Sequence, residues 1–532
     1  PAAAHALSAE QSDISEYRWL ILLGLITAAI MEVLDTTIVN VALPQMAGNL
    51  GATQQEIGWV ATGYILSNVV VLPMTAFFTE RFGRRRYLIF SIILFAVASF
   101  LCGISHSLIE LVAWRVLQGA GGAALLSTAQ ATIRQIFPRE QQALVQSIFL
   151  LGIIVAPTLG PTLGGWITDN YNWNWCFFIN IPIAVISAFL VGTFLKDAPD
   201  ARRHRGDIDW LGIGLLMLGL ACLQYVLEEG NQKDWFADIW ITRLAVIAGC
   251  ALSAMIWWEL SPRNKHPVID FHVLRNRELA ASIFLFVSLG FGLYGGVFLF
   301  PLFTETLLHF TPTETGLALL PGGLATAVTA LICGRLLTGA KPLVDPRILI
   351  GIGVSLFVGA MWYLGHLTTA AGEGDVRIAL IIRGAGLGFL FTPINSVAYA
   401  SIRPQEAQQA SGLINLARQL GGSFGIAILA NYLTTRTQFH RADLLTNVYA
   451  GNPLLDERLR AFAAMLSSHG YGPVAARQGA LALVDRQVMA QATMLAYNDS
   501  WIFILIAFVS VAPAILLLRS RKGPPMAPVD AH

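Results

Sequence analysis

Long apolar runs separated by short polar gaps set the pattern of this chain. A helix crossing about 30 Å of hydrocarbon needs about 20 mainly apolar residues. Fourteen stretches answer to that: 18–42, 56–78, 87–105, 109–133, 142–168, 177–195, 208–228, 240–260, 278–305, 313–338, 347–366, 377–402, 408–435 and 500–519. Strict alternation of apolar and polar positions is absent, which argues against a membrane β-barrel. The pattern predicts an all-α polytopic membrane protein with 14 transmembrane helices. Composition agrees: of 532 residues, 55% are hydrophobic and 13% charged, and mean hydropathy is +0.61. Soluble domains carry about 25% charge, and a solvated globule could not hide so much apolar surface.

The net charge of +1 leaves no nucleic-acid footprint. Cys102, Cys176, Cys222, Cys250 and Cys333 lie in or beside apolar stretches with no CxxC spacing, so they read as small core residues and no metal or cofactor is expected. Residues 1–17 are polar and carry Glu10, Asp13 and Glu16. They lack the basic region of a signal peptide, so the first apolar stretch reads as a retained membrane helix.

An even number of passes puts both ends on one side, and Lys/Arg placement says which. Loops on the terminal side hold Arg81, Arg84, Arg85, Arg86, Arg134, Arg139, Lys196, Arg202, Arg203, Arg205, Arg263, Lys265, Arg275, Arg277, Arg335, Lys341, Arg347 and Arg403. The short loops opposite hold only Lys233, Arg243 and Arg377. Both termini are therefore expected in the cytoplasm of a multi-pass protein.

The chain also repeats itself. Gly119-Ala120-Gly121-Gly122 recurs as Gly384-Ala385-Gly386-Leu387, and Pro138-Arg139-Glu140-Gln141-Gln142-Ala143 recurs as Pro404-Gln405-Glu406-Ala407-Gln408-Gln409-Ala410. Two copies of a six-helix unit follow, with two helices between them. The expected layout is a tail 1–17, a bundle 18–195, a linker 196–276 with two extra helices, a bundle 277–519 with a long outer loop 436–499, and a tail 520–532. Parallel six-helix repeats imply a transporter with its site between two bundles.

Two carboxylates stand out inside the first span. Glu32 and Asp35 lie three residues apart on one helix face. A carboxylate at bilayer depth costs ~2.5–3.5 kcal/mol on insertion scales, so it should serve a function. Asp35 is the first choice for a proton carrier, and Glu32 stays open between a functional and a structural role.

Several segments carry a specific resemblance. The first span reads Leu34-Asp35-Thr36-Thr37-Ile38-Val39-Asn40-Val41-Ala42-Leu43-Pro44, and the fourth Arg115-Val116-Leu117-Gln118-Gly119-Ala120-Gly121-Gly122. The fifth carries Gly160-Pro161-Thr162-Leu163-Gly164-Gly165-Trp166, followed by Trp173-Asn174-Trp175-Cys176-Phe177-Phe178-Ile179-Asn180-Ile181-Pro182. Together these resemble the major facilitator superfamily, specifically the fourteen-span drug/proton antiporters of the EmrB/QacA type. The loop after the second span departs from that family's pattern, with Ala76 for the usual glycine and Glu80 for the usual aspartate; Ala156 likewise replaces an earlier glycine of the fifth span.

The resemblance implies an Asp35–Arg115 partnership for proton coupling. It implies a conformational latch at Glu80, Arg81, Gly83, Arg84 and Arg85, and a kinked, close-packed fifth helix at Gly160, Pro161, Gly164 and Gly165. Candidate cavity residues are Gln118, Tyr294, Phe298, Phe391, Asn395, Tyr399, Asn415 and Arg418. Interhelical bonding for the two asparagines and plain packing for the aromatics are the alternatives. Glu305 reads either as an exposed rim residue or as a second proton or cation site. Gly421-Gly422-Ser423-Phe424-Gly425 matches a hydrolase elbow in letters only, since it lies in an apolar helix.

The expected function is proton-driven export of small hydrophobic or amphipathic compounds from a bacterial inner membrane by alternating access. The substrate would reach the carrier from cytoplasm or membrane lipid. The resemblance further implies a periplasmic adaptor and an outer-membrane channel as partners. Import or facilitated passage of a specific metabolite is the alternative.

Overall fold

The computed structural model describes residues 2–518 apart from 197–208, 265–266, 270, 338–342, 400–401, 403–405 and 450. The expected tail 520–532 and the linker arginines Arg202, Arg203 and Arg205 lie outside the described residues. Among those described, helices alone form.

The first half consists of α1 (Ala2–Leu50), α2 (Gln54–Ile57), α3 (Trp59–Val71), α4 (Thr75–Phe82), α5 (Arg84–Gly103), α6 (Leu108–Ile136), α7 (Arg139–Asn170), α8 (Trp175–Phe178) and α9 (Asn180–Phe194). The intervening pair is α10 (Trp210–Glu229) and α11 (Ile239–Glu259). The second half runs through α12 (Arg277–Thr306), α13 (Pro312–Leu337), α14 (Pro346–Leu364), α15 (Glu373–Ala398), α16 (Ala407–Leu445), α17 (Pro453–Ser468) and α18 (Pro473–Val511). Thirteen helical segments are long and apolar enough to span a membrane among the described residues. Helix α7 is the fourteenth pass: its 32 residues extend about 48 Å, and it packs between α1 and α13.

Local chemistry explains where elements begin and break. Ser107, Asp209, Asp238, Asn276, Asp345 and Asn452 each accept a backbone N–H at the start of a helix, satisfying donors that have no partner within the helix. The second pass, expected as one helix, is broken. Pro73 lies in a 3-10 turn, Leu72–Met74, between α3 and α4, because proline lacks an N–H and clashes with the preceding turn. Gly83 takes φ +88° between α4 and α5, a conformation that costs other residues strain.

The repeat is visible in the packing. In the first half Gly119 meets the backbone of Tyr64 and Gly121 that of Phe95; in the second, Gly384 meets Gly322 and Gly386 meets Phe357. An added Cβ would come within 2.3 Å and 2.9 Å in the first pair, and within 2.0 Å and 2.8 Å in the second. In each half the fourth helix is thus pressed against the second and third. Lipid offers no hydrophobic drive for helix association, so small residues and close backbone approach supply the contact.

Tyr17 stacks on Phe194 and Arg18 lies over Phe137. The start of the first pass and the ends of the fourth and sixth therefore share one side, the terminal face. The two halves meet along α7 and α13. On the other flank, α10 and α11 close the seam between α3 and α16. Ile213, Leu216, Leu220 and Met255 pack there with Val69, Val70, Leu413 and Leu416. Cys250 is a correction to the expected core position: it is exposed on α11, the outer helix of that pair.

On the opposite, loop face, α16 and α18 run past the bilayer. Each has 39 residues, about 58 Å of helix against about 30 Å of hydrocarbon. Arg436 and His440 of α16 reach Asp499 of α18 at 2.5 and 2.7 Å, and α17 lies against α18.

Candidate functional site

The carboxylate of Asp35 sits at the centre of the first half with no solvent exposure. Arg115 Nη1 lies 2.5 Å from its Oδ2. Gln118 Nε2 and Asn180 Nδ2 donate to its Oδ1 at 2.9 and 2.8 Å. The guanidinium is equally engaged: Nε donates to the Val60 carbonyl at 2.9 Å and Nη1 to Gln118 Oε1 at 2.8 Å. The rings of Tyr64 and Phe177 lie 4.3 and 5.7 Å from its Cζ. Ser99 Oγ accepts from Gln118 and Asn180 and donates to the Phe177 carbonyl. Four membrane helices and α8 thus converge on one acid.

Burial of charge is costly unless it is paired and hydrogen-bonded, and this pair is both. Protonation of Asp35 would cancel the charge holding Arg115 and turn an acceptor into a donor.

Glu32 does not join that pair. Its Oε1 accepts from Asn68 Nδ2 at 3.3 Å and its Oε2 from the Leu126 N–H at 3.1 Å. Asn68 Oδ1 in turn accepts from Gln419 Nε2 of α16 at 3.2 Å. One amide therefore links a buried acid of the first half to the second half.

The remaining expected residues fall into different places. Gln118 is part of the Asp35 network. Asn415 Nδ2 donates to Gln130 Oε1 at 3.0 Å, and its Oδ1 accepts from Arg418 at 3.0 Å. Asn395 and Tyr399 meet Arg134: its Nη2 donates to the Asn395 carbonyl at 3.2 Å, and its Cζ lies 4.3 Å from the Tyr399 ring centroid. Phe391 is buried in the apolar core of the second half, and Phe298 packs against that core. The Tyr294 ring lies beside Gly422 of α16. Glu305 is exposed at the loop-face end of α12, the position of a rim residue.

In the expected latch, Arg85 donates to the Gly192 carbonyl of α9, while α4 packs against α16. An added Cβ on Gly160 would lie 2.0 Å from Thr37 Oγ1, and one on Gly164 would lie 2.8 Å from the Ile38 carbonyl. These glycines press α7 onto α1 within one turn of Asp35. Gly165 is looser, 4.0 Å from Val41. The side chain of Pro161 lies outside the described residues.

Sequence reasoning assigned no role to Asn180, Ser99, Tyr64, Asn68 or Gln130, and counted Arg134 only among the loop cations that set orientation. The available signal was polarity at bilayer depth: an amide within an apolar span has a partner to satisfy.

Comparison with known proteins agrees with this architecture. Residues 25–426 match the model of the Major Facilitator Superfamily. The chain is 35% identical to the multidrug export protein EmrB of Haemophilus influenzae, over 82% of this chain and 84% of that one. It is 32% identical to the fatty acid resistance protein FarB of Neisseria gonorrhoeae, over 94% and 96%. Among solved structures, the human organic anion transporter MFSD10 superposes with a TM-score of 0.54 at 12% identity, covering 94% of this chain and 99% of that one. The chain belongs to the major facilitator superfamily and, within it, to the EmrB-type family of drug/proton antiporters.

Proposed function

We propose that the protein exports small hydrophobic or amphipathic compounds in exchange for protons, by alternating access between its two halves. The observation that carries this reading is the fully buried Asp35–Arg115 pair, joined by Gln118 and Asn180. A membrane transporter retains so costly a group for work. Proton uptake by Asp35 releases Arg115, and the helices that the pair ties together repack. The names of the relatives support export as the direction and multiple compounds as the cargo.

The functional units are the bundles 18–195 and 277–519, with 196–276 as a linker whose two helices close one flank. Both termini lie in the cytoplasm, a reading that the Lys/Arg asymmetry supports, and the protein sits in the bacterial inner membrane, a reading that its bacterial relatives support. Hydrogen bonds of Arg134, Gln408, Ser411, Asn415 and Gln419 join the two halves, and that orientation would place them toward the cytoplasmic side. The long α16–α17–α18 hairpin on the outer face suits docking of a periplasmic adaptor leading to an outer-membrane channel.

The test uses proteoliposomes with an imposed pH gradient. Wild-type protein should couple substrate movement to proton counterflow, and Asp35→Asn should abolish both while eluting as the same folded species. Wild-type-like proton-coupled transport by Asp35→Asn would refute the role of Asp35.

A further inference from the structure

Two buried acids lie one turn apart on α1, and they face different neighbours. Asp35 takes its partners, Arg115, Gln118 and Asn180, from the first half alone. Glu32, also buried, is held by Asn68 of α3 and by the Leu126 N–H of α6. Those contacts lie eight residues nearer the terminal face than the Val60 and Gln118 contacts of the Asp35 site, at the level where the second half arrives. Asn68 Nδ2 points to Glu32, and its Oδ1 receives Gln419 Nε2 of α16. Arg418, the residue before Gln419, donates to Asn415, and Asn415 donates to Gln130 of α6, one turn beyond Leu126.

Few charged groups surround Glu32. Asp35 shares its helix, Arg418 faces it from the second half, and Tyr64 is its titratable neighbour on α3. Neither α9 nor α7 between Ala143 and Thr168 carries an ionisable side chain. The arginines of α6 are engaged elsewhere, Arg115 by Asp35 and Arg134 by α15. The positive charge that acts on Glu32 therefore belongs to the other half. A charge at bilayer depth without a counter-charge is unfavourable, so this attraction exists only while the halves are joined and Glu32 is ionised. The hydrogen bonds carry the same condition. Both oxygens of Glu32 face N–H donors, which suit a carboxylate. A proton would add a third donor. The Asn68 amide then turns to accept it with Oδ1, which sets Nδ2 against Gln419 Nε2, donor against donor.

We propose that Glu32 is a positioning residue operated by a second proton. Ionised, it holds α16 to the first half through Asn68 and Arg418; protonated, it lets that seam part, whatever the state of Asp35. Its use in transport rests on the export reading, which it deepens. The sign follows from linkage: ionised Glu32 favours joined halves, so joining strengthens as pH rises and weakens as pH falls. A proton taken up by Glu32 while the halves are joined drives apart the contact of α16 with α3, and its release lets them rejoin. The two acids thus divide the work. Asp35 acts on contacts within the first half, and Glu32 on contact between the halves.

The test reads the seam directly, in full-length protein in lipid nanodiscs with no substrate and no proton gradient. Spin labels on Arg86→Cys and Leu343→Cys, both exposed and at the terminal-face ends of the two halves, report the separation of the halves by pulsed electron resonance. Of the five native cysteines only Cys250 is exposed, and it is replaced by serine. The ratio of joined to parted molecules should fall at least about fivefold from pH 8 to pH 5, the lower end of coupling between linked sites, and should fall equally in Asp35→Asn. Glu32→Gln should favour parted halves at both pH values and lose the pH response, and Glu32→Asp should restore the response. Arg418→Gln should blunt the response although the acid remains. A full response in Glu32→Gln or Arg418→Gln, or no response in wild type or in Asp35→Asn, would overturn the proposal. If Glu32→Gln fails to fold, Arg418→Gln decides in its place. Neither substrate nor gradient enters, so a failure here leaves the role of Asp35 in export untouched.

Discussion

At the scale of single residues, the polar contacts concentrate on Asp35, an acid that accepts hydrogen bonds from Arg115, Gln118 and Asn180. Removing one member of a buried pair leaves the other uncompensated, at a cost of about 3–5 kcal/mol, whereas removing both charges is often nearly neutral. Arg115→Gln should therefore lower the unfolding temperature of the detergent-solubilised protein markedly, and Asp35→Asn added to it should restore most of the loss. A double variant no more stable than Arg115→Gln would show that Arg115 is held by Val60, Tyr64 and Phe177 rather than by the carboxylate. Asn180→Leu removes one donor to Asp35 at 2.8 Å and offers no replacement. It should cost about 1–3 kcal/mol in the same assay, the penalty of an unsatisfied buried acceptor.

At the scale of helices, the site depends on how closely α7 lies on α1. Gly160→Ala forces a Cβ to 2.0 Å from Thr37 Oγ1 and 2.7 Å from Thr37 Cβ, so the helices must part next to Asp35. Transport by Gly160→Ala should fall at least about tenfold, in line with a shift of order 1 Å near a functional group. Thr37→Ala in the same chain should recover only part of it, because the Cβ contact remains. Full activity of Gly160→Ala would show that the approach of α7 is not needed. On the loop face, Asp499 ties α18 to both Arg436 and His440 of α16. Asp499→Asn should raise amide hydrogen exchange at that end of the hairpin and leave exchange in the membrane helices unchanged.

At the scale of the whole molecule, polar contacts of Arg134, Gln408, Ser411, Asn415 and Gln419 join the two halves. Arg134 is the charged one among them, joining a charge-assisted hydrogen bond at the C-terminal end of α15 to a stack on Tyr399. Helix C-termini attract cations, so this position favours closure. A charge-assisted hydrogen bond contributes about 1.5–3 kcal/mol, enough to shift an equilibrium between open and closed about 10- to 150-fold. Arg134→Ala should therefore raise the labelling rate of a cysteine introduced at Gln419 from the terminal side. An unchanged rate would mean that the contacts of Gln408, Ser411 and Asn415 suffice.

The many apolar passes, the recurrence of a unit and the presence of a charge at Asp35 inside an apolar run could all be read from one dimension. Hydrocarbon thickness fixes helix length, and a charge inside an apolar run declares itself by cost alone. The same rule flagged Glu32, yet only the folded chain separates it from Asp35, because the partners that define each acid come from distant segments: Asn180 and Arg115 for one, Asn68 and Leu126 for the other. Breaks such as the 3-10 turn at Pro73, and Arg134 crossing to the second half, follow from packing between elements, which local pattern does not encode. Arginines are visible in any sequence, but whether an acid stands within 4 Å is decided by which helices meet.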